Sequence, residues 1–450
     1  MSHLSVAKFG GTSVANYPAM QSCANIVIAD PNTRVVVLSA SAGVTNLLVA
    51  LANGCEEPER NKLLNEVRQI QENILTELKD DSRVRPKIEA LLANITSLAE
   101  AANLATSLAL TDELISHGEM MSSLIFVEVL RELQIEATWL DVRTIVATNS
   151  HFGKAAPNDE QTRQNCDNLL KPLIERGELV ITQGFIGRDE QGKTTTLGRG
   201  GSDYSAALLA EVLNAQDVLI WTDVAGIYTT DPRIVQTAQR IDTMSFSEAA
   251  EMATFGAKVL HPATLLPAVR SNIPVYVGSS KAPQDGGTWV TRNPQPRPTF
   301  RAIALRRDQT LLTLSSLNML YAQGFLANIF TILAKHKISV DTITTSEVSV
   351  ALTLDKTGSA SSGKSLLSQE LIEELSQFCT VKVDTGLSLV ALIGNELHTA
   401  SGVAKRIFET LDAYNIRMIS YGASTNNICL LADSDKADDI VRSLHRSLFE

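Results

Sequence analysis

The chain has 450 residues, 44% hydrophobic and 20% charged, a globular composition long enough for two or three domains. Its formal net charge is -11 with no run of basic residues, which excludes a nucleic-acid-backbone partner and leaves anionic ligands to local devices. The five cysteines (Cys23, Cys55, Cys166, Cys379, Cys429) never stand in C-x-x-C spacing, which excludes a disulfide framework or a zinc site and fits a reducing cytosol; no stretch reaches the roughly 18 apolar residues of a membrane span.

The N-terminus, MSHLSVAKFGG, reads as entering a strand directly rather than passing through a signal peptide. The strand SVAKF runs into KFGGTS (8–13), a phosphate loop in reverse order, with lysine before the glycines. Gly10 and Gly11 stand where backbone amides can approach an anion, and Thr12 and Ser13 add hydroxyls near a helix start. Alone, a Gly-Gly after a strand is most often a tight turn. RVVVLS (34–39) is the next strand, followed by helical spacing at Leu63, Val67, Ile70, Ile74 and Leu78 and again at Ile88, Leu91, Leu92 and Ile95. That excursion reads as a cover over one end of the sheet or as a subunit contact. ELVITQGFIG (178–187), DVLIWTDV (217–224) and IPVYVG (273–278) are further strands. Near-continuous apolar strands separated by helices predict an α/β fold with a mostly parallel sheet and helices on both faces.

Three more clusters stand where such a sheet binds ligands, at the carboxyl ends of strands. In TTTLGRGGSDYSA (194–206), Gly198, Gly200 and Gly201 surround Arg199, and Ser202-Asp203 open a helix. Either Ser202 or Asp203 is compatible with a simple helix cap, but a cap does not need three glycines and an arginine before it. WTDVAGIYTTDPR (221–233) leaves a strand through turn chemistry, and ATFGAKVLHPATLLPAVR (253–270) sets Lys258 among small residues, as a ligand or as a solvated helix lysine.

At 283–300, Pro294, Pro296 and Pro298 alternate with other residues, which marks a connector over 293–300 between a domain at 1–292 and another at 301–450. The second domain repeats itself once. Gly324-Phe-Leu-Ala-Asn-Ile-Phe330 answers Gly402-Val-Ala-Lys-Arg-Ile-Phe408 at an offset of 78, since 402 - 324 = 78. Each copy, at about 310–384 and 388–450, reads strand, glycine-led helix, strand, strand, a duplicated α+β (βαββαβ) unit.

K-F-G-G-T-S, S-A-S-A-G-V-T-N-L-L (39–48), T-D-E-L-I-S-H-G-E (111–119), G-F-I-G, T-T-T-L-G-R-G-G-S-D, W-T-D-V-A-G-I-Y-T-T-D-P-R and T-F-G-A-K-V-L-H-P together resemble the aspartokinases of the amino acid kinase superfamily, in the monofunctional lysine-sensitive form. The duplicated unit resembles their paired ACT domains. The resemblance implies transfer of the γ-phosphoryl group of ATP to the side-chain carboxylate of L-aspartate. It implies Lys8 and Asp203 as catalytic residues, with Lys8 supplying charge to the phosphates and Asp203 orienting Lys8 and Mg²⁺. Gly10, Gly11, Thr222, Asp223, Tyr228, Arg233 and Lys258 would join Lys8 around the nucleotide. Arg199 matches the α-carboxylate of aspartate and Glu119 its α-ammonium, with Thr45 and Ser202 in support. No metal site of direct protein ligands is expected. His261 reads as structural, because a carboxylate nucleophile brings no proton to move.

The repeat carries an asymmetry. Asp341 and Glu347 of the first copy fall opposite Ile419 and Thr425 of the second. An effector with two ammonium groups needs two anionic partners, so the expectation is one L-lysine site per chain, in the first copy, built around Met319, Phe325, Leu326, Ser339, Val340, Asp341, Thr345 and Glu347. Ala322 departs from the serine of lysine-sensitive relatives. The remaining expectations are a cytoplasmic homodimer formed through the ACT-like units, with pairing into tetramers open, and no nucleic-acid or membrane partner. Alternatives are another kinase of the superfamily, acting on glutamate, acetylglutamate or UMP, and a non-catalytic amino-acid sensor.

Overall fold

The computed structural model describes residues 3–256, 260, 265–317, 319, 323–355 and 367–450. These divide into two compact units, one from Met1–Ile227, Arg240–Ala250 and Lys258–Gln295, the other from Tyr228–Gln239, Glu251–Ala257 and Pro296–Glu450. The main division falls inside the proline-rich stretch, and two earlier segments of chain group with the C-terminal residues.

The first unit opens with β1 (Ser5–Phe9), α1 (Tyr17–Ala29), β2 (Thr33–Leu38), α2 (Val44–Ala52), α3 (Glu57–Leu75), α4 (Arg85–Leu104), α5 (Leu108–Glu132) and β3 (Ala137–Trp139). It continues through α6 (Asp159–Asn165), α7 (Lys171–Glu175), β4 (Leu179–Gln183), β5 (Ile186–Arg188), β6 (Thr194–Thr196), α8 (Gly201–Leu213) and β7 (Asp217–Thr222). The last elements in this part of the chain are β8 (Thr243–Ser245), α9 (Phe246–Thr254), α10 (Leu266–Ser271), β9 (Val275–Ser279) and β10 (Gly287–Thr291). Eight strands form one sheet in the order β3-β4-β2-β1-β7-β9-β10-β8, parallel from β3 to β9, with β10 antiparallel to β9. All five residues of β1 are buried, as a central parallel strand covered on both faces requires. From β1 the chain continues to β2 on one side, and β7 lies on the other. The order therefore reverses at β1, and the crevice at its carboxyl end is the natural ligand position.

Helix α5 is buried almost all round from Leu114 to Leu130, so it runs through the core rather than over it. Helices α3 and α4 of the helical excursion pack on each other and on α2 and α5; α3 ends at Leu75, one turn short of Leu78.

The second unit holds β11 (Phe300–Ser315), α11 (Phe325–Lys335), β12 (Ser339–Thr345), β13 (Ser349–Asp355), α12 (Gln369–Ser376), β14 (Thr380–Gly394), α13 (Val403–Thr410), β15 (Ile416–Tyr421), β16 (Asn427–Asp433) and α14 (Ala437–Phe449). The sheet order is β12-β13-β11-β14-β16-β15, all antiparallel. The duplication is visible in the backbone: Gly324 and Gly402 cap α11 and α13 in the left-handed region at φ 85° and 80°. Each copy buries its own cluster, one around Ile329, Leu333 and Leu371, the other around Ile407, Ile440 and Leu444. The copies are not simply consecutive. Gln309–Ser315 of β11 pairs with Thr380–Leu387 of β14 to close the first copy, whereas Phe300–Arg306 pairs with Leu389–Gly394 to close the second. The first copy is thus inserted into the second, and the second takes a strand from before the first.

Candidate active site

Lys8 lies on β1 in register with Val37 of β2 and Ile220 of β7, and its ammonium reaches Asp203 Oδ1 at 2.6 Å. Both side chains are largely buried. Residues 195 positions apart in sequence (203 - 8) meet because β1 is central and α8 packs against it. Helix α8 begins on Gly200, left-handed at φ 72°, with no side-chain cap. Neither Ser202 nor Asp203 is the cap weighed from the sequence. The Gly201 amide donates to Gly198 O at 3.0 Å, and the amides of Ser202 and Asp203 after it keep the partial positive charge that favours an anion.

Gly11 is a glycine by necessity, since a Cβ there would stand 2.8 Å from the Ala40 carbonyl oxygen. The Ala42 amide donates to Gly11 O at 3.1 Å and joins KFGGTS to the segment after β2. The expectation of two free amides needs correction at Gly10. Its N–H donates to Trp221 O at 3.1 Å, continuing the β1–β7 ladder, so what Gly10 offers is space: a Cβ would lie 3.7 Å from Lys8 Nζ.

Glu119 sits on α5 beside Ala40 and is 3% exposed. Burial pushes its pKa up to about 8, against a smaller opposing effect of backbone hydrogen bonding from Ala40, and its Oε2 has no partner among the described residues. At neutral pH burial thus favours its neutral form, an effect that a neighbouring ammonium would oppose. The Ser41 hydroxyl is another buried polar group with no partner in this segment. The approach of α5 depends on Gly118, where a Cβ would fall 2.7 Å from that of Ala40. Thr45 is half-buried in the first turn of α2, behind the left-handed Gly43 at φ 88°.

Ser202 packs onto Gly184 at the end of β4; a Cβ on Gly184 would lie 2.6 Å from that of Ser202. Phe185 follows at φ 71°, an unusual angle for an aromatic residue, with the Ile186 amide donating across it to Gly184 O at 2.9 Å. The Ser205 hydroxyl accepts from the Phe185 amide at 3.0 Å and fixes this tight turn to α8. Arg199 stands between Gly198 and Gly200, exposed and without an ion-pair partner among the described residues. Asp112 is 1% exposed and accepts from the Gly153 amide and from both the amide and hydroxyl of Thr196, tying α5 to β6.

Thr222 and Asp223 lie at the end of β7, with the Thr222 hydroxyl donating to Asp223 Oδ1 at 3.2 Å. Ser280, after β9, donates its amide to Thr222 O at 2.8 Å and shares a 2.6 Å hydrogen bond with Ser13, closing the KFGGTS turn against the neighbouring strand ends. Sequence reasoning passed over Ser280, which has no motif signal. Gly184, Phe185 and Asp112 stand within motifs, and their spacing alone does not disclose a role. Tyr228 and Arg233 belong to the second unit, where Arg233 pairs with Asp231 at 2.7 Å. Lys258 and His261 lie outside the described residues.

Of the residues expected to hold lysine, Phe325 is buried against Phe378, their ring centroids 5.7 Å apart, and Met319 and Val340 pack on the same cluster. Ser339 is half-buried, and Leu326, Thr345 and Glu347 are exposed. Asp341 is already engaged, its Oδ1 2.9 Å from Arg306 Nη1. Among the described residues, no side chain caps the start of α11 at Gly324 and no atom stands within 4 Å of where a Cβ there would lie. Ala322 lies outside the described residues.

The amino acid kinase family matches residues 3–279, and an ACT domain family matches 390–448. The lysine-sensitive aspartokinase 3 of Escherichia coli is 62% identical over 450 residues, covering all of both chains. Among solved structures, E. coli aspartokinase III with aspartate and ADP, in the R state, has a TM-score of 0.90 at 61% identity over the whole of both chains. The same enzyme with lysine and aspartate, in the T state, has a TM-score of 0.87 at 61% identity and the same coverage.

Proposed function

The chain belongs to the aspartokinases of the amino acid kinase family, and on that premise we propose that it transfers the γ-phosphoryl group of ATP to the side-chain carboxylate of L-aspartate, giving 4-phospho-L-aspartate under feedback inhibition by L-lysine. The observation that carries the chemistry is the Lys8–Asp203 pair at the uncapped start of α8. The nucleophile has a pKa of about 3.9 and is already ionised, so no general base is needed. Catalysis is positioning and charge neutralisation: Lys8 meets the phosphates, Asp203 holds the ammonium in place, and the first-turn amides of α8 add fixed dipoles.

Arg199 is the free planar donor for the substrate α-carboxylate, supported by Ser202 and Thr45. Glu119 takes the α-ammonium by giving up its proton as the substrate binds. Thr222 and Asp223, with Gly10 and Gly11, border the nucleotide, and Tyr228, Arg233 and Lys258 are further nucleotide ligands. No group of three or more His, Cys, Asp or Glu side chains is placed to hold a metal among the described residues. The carboxylates of Asp203, beside Lys8, and of Asp223, at the end of β7, fit a Mg²⁺ ion, which they would hold together with phosphate oxygens and water and which would neutralise phosphate charge.

Lysine is assigned to the first copy of the repeat, around Met319, Phe325, Leu326, Ser339, Val340, Asp341, Thr345 and Glu347. A homodimer through the second unit is supported by Ile343, Val383, Ile419 and Tyr421, which remain exposed there. The five free cysteines, four of them buried, support a cytoplasmic setting.

The test is ATP-dependent acyl-phosphate formation trapped with hydroxylamine, over a panel of acidic amino acids with and without lysine. Product from aspartate alone, reduced by lysine, is the expected result. Absence of product with aspartate would sink the kinase reading, and product indifferent to lysine would sink the regulatory part.

A further inference from the structure

The second copy of the repeat lacks the acids of the first, yet its core holds the segment Tyr228–Gln239, which carries two of the proposed nucleotide ligands. Val235 is buried with Ile407, Leu411, Val441 and Leu444, and the Ile303 amide donates to Thr229 O at 2.7 Å. The segment is a closed turn of chain, because the Thr229 amide donates to Gln239 O at 2.8 Å.

Its anchor is His445 on α14, 0% exposed. His445 Nδ1 lies 3.2 Å from Glu450 Oε1, and Nε2 lies 2.9 Å from Thr229 Oγ1. The partners assign the tautomer. A carboxylate can only accept, so Nδ1 carries a proton and donates it to Glu450; in the neutral ring Nε2 then accepts from the Thr229 hydroxyl. Thr229 Oγ1 in turn accepts from the Gln239 amide at 3.0 Å. Glu450 also accepts from the Thr237 hydroxyl, which holds its carboxyl below the usual range. Every donor in this chain has an acceptor, and it ties both arms of the segment to α14. The Phe449 ring stacks on the imidazole at 5.0 Å and fixes its plane.

We propose that His445 is a positioning residue for the nucleotide: through Thr229 it sets the conformation of the segment bearing Tyr228 and Arg233. This rests on the reading of Tyr228 and Arg233 as nucleotide ligands.

The experiment uses the full-length protein, with ATP and aspartate varied separately and calorimetric lysine binding as the check on folding. His445→Leu is expected to raise KM for ATP about fivefold to tenfold, the loss of one buried hydrogen bond, while leaving KM for aspartate within about twofold. His445→Gln, whose amide can accept from Thr229 and donate to Glu450, is expected to recover most of the loss. Thr229→Val removes the same hydrogen bond from the other side and serves if His445→Leu does not fold. An unchanged KM for ATP in the folded variants would overturn the proposal, as would an equal rise in both KM values that Gln does not rescue. Tyr228→Ala and Arg233→Ala separate the two readings. If they raise KM for ATP while His445→Leu does not, only the positioning role fails; if none of the variants moves it, the nucleotide assignment fails as well.

Discussion

Lys8 and Glu119 illustrate two ways in which a buried charge is made useful. Lys8 is held at 2.6 Å from Asp203, so its charge is fixed before phosphate arrives and requires little reorganisation in the transition state. Lys8→Ala is expected to lower kcat about a hundredfold to a thousandfold while lysine binding, measured by calorimetry, is unchanged. Glu119 is the opposite case, a carboxyl whose burial raises its pKa to about 8. Because the folded state holds this proton more tightly than the unfolded chain, stability is complete below about pH 4.5 and is eroded as pH rises from there to 8. At pH 7 the penalty is on the order of 3 kcal/mol, so Glu119→Gln is expected to raise Tm at pH 7 and not at pH 4, while raising KM for aspartate. In the native protein, aspartate binding at pH 7 should release close to one proton per site, read from calorimetry in buffers of different ionisation enthalpy. KM for aspartate should fall as pH rises toward 8. A flat KM profile and no proton release would show that Glu119 does not meet the ammonium.

Between elements, glycines set the contacts. Gly184 lets the start of α8 lie on the end of β4, and a Cβ there would overlap the Cβ, Cα and Oγ of Ser202. Gly184→Ala therefore has to displace α8, and with it Asp203 and Ser202. The expected cost is about 1–3 kcal/mol in denaturant unfolding, with kcat falling alongside. The same substitution at Gly153, where nothing lies within 4 Å but φ is 81°, tests backbone strain without displacement and should spare kcat. The motifs were legible in the sequence because glycine and lysine types announce a strand-end anion site. The direction of each amide was not. Gly10 looked like a donor, and only the β1–β7 register shows its N–H engaged with Trp221.

At the scale of the whole molecule, inhibition by lysine is a coupling free energy and must be reciprocal. If lysine raises the Kd for aspartate by some factor, aspartate must raise the Kd for lysine by the same factor, a relation that equilibrium binding checks directly. The ion pair between Asp341 and Arg306 means that an effector ammonium arriving at Asp341 competes with or joins an existing cation. Asp341→Asn is expected to raise the lysine concentration for half inhibition at least tenfold, about 1.4 kcal/mol, without changing kcat in its absence. Unchanged inhibition would remove Asp341 from the site. The insertion of the first copy of the repeat into the second was hidden from the sequence, because the 78-residue offset aligns the two copies from their first strands onward, 310 with 388, and says nothing about which strand closes each sheet.

The order of elements, the parallel core sheet, the duplicated C-terminal unit and the residue types at the strand ends followed from the sequence alone. Apolar periodicity, glycine placement and repeats are local or self-similar signals, readable without knowing what touches what. Three features were decided only in the folded chain: the contact distance and burial of the Lys8–Asp203 pair, whose partnership the resemblance had implied, the burial that raises the pKa of Glu119, and the grip of His445 on Thr229. Each depends on side chains brought together by topology and cut off from water, and neither proximity across 195 or 216 residues nor the energy of burial is written in any stretch of sequence.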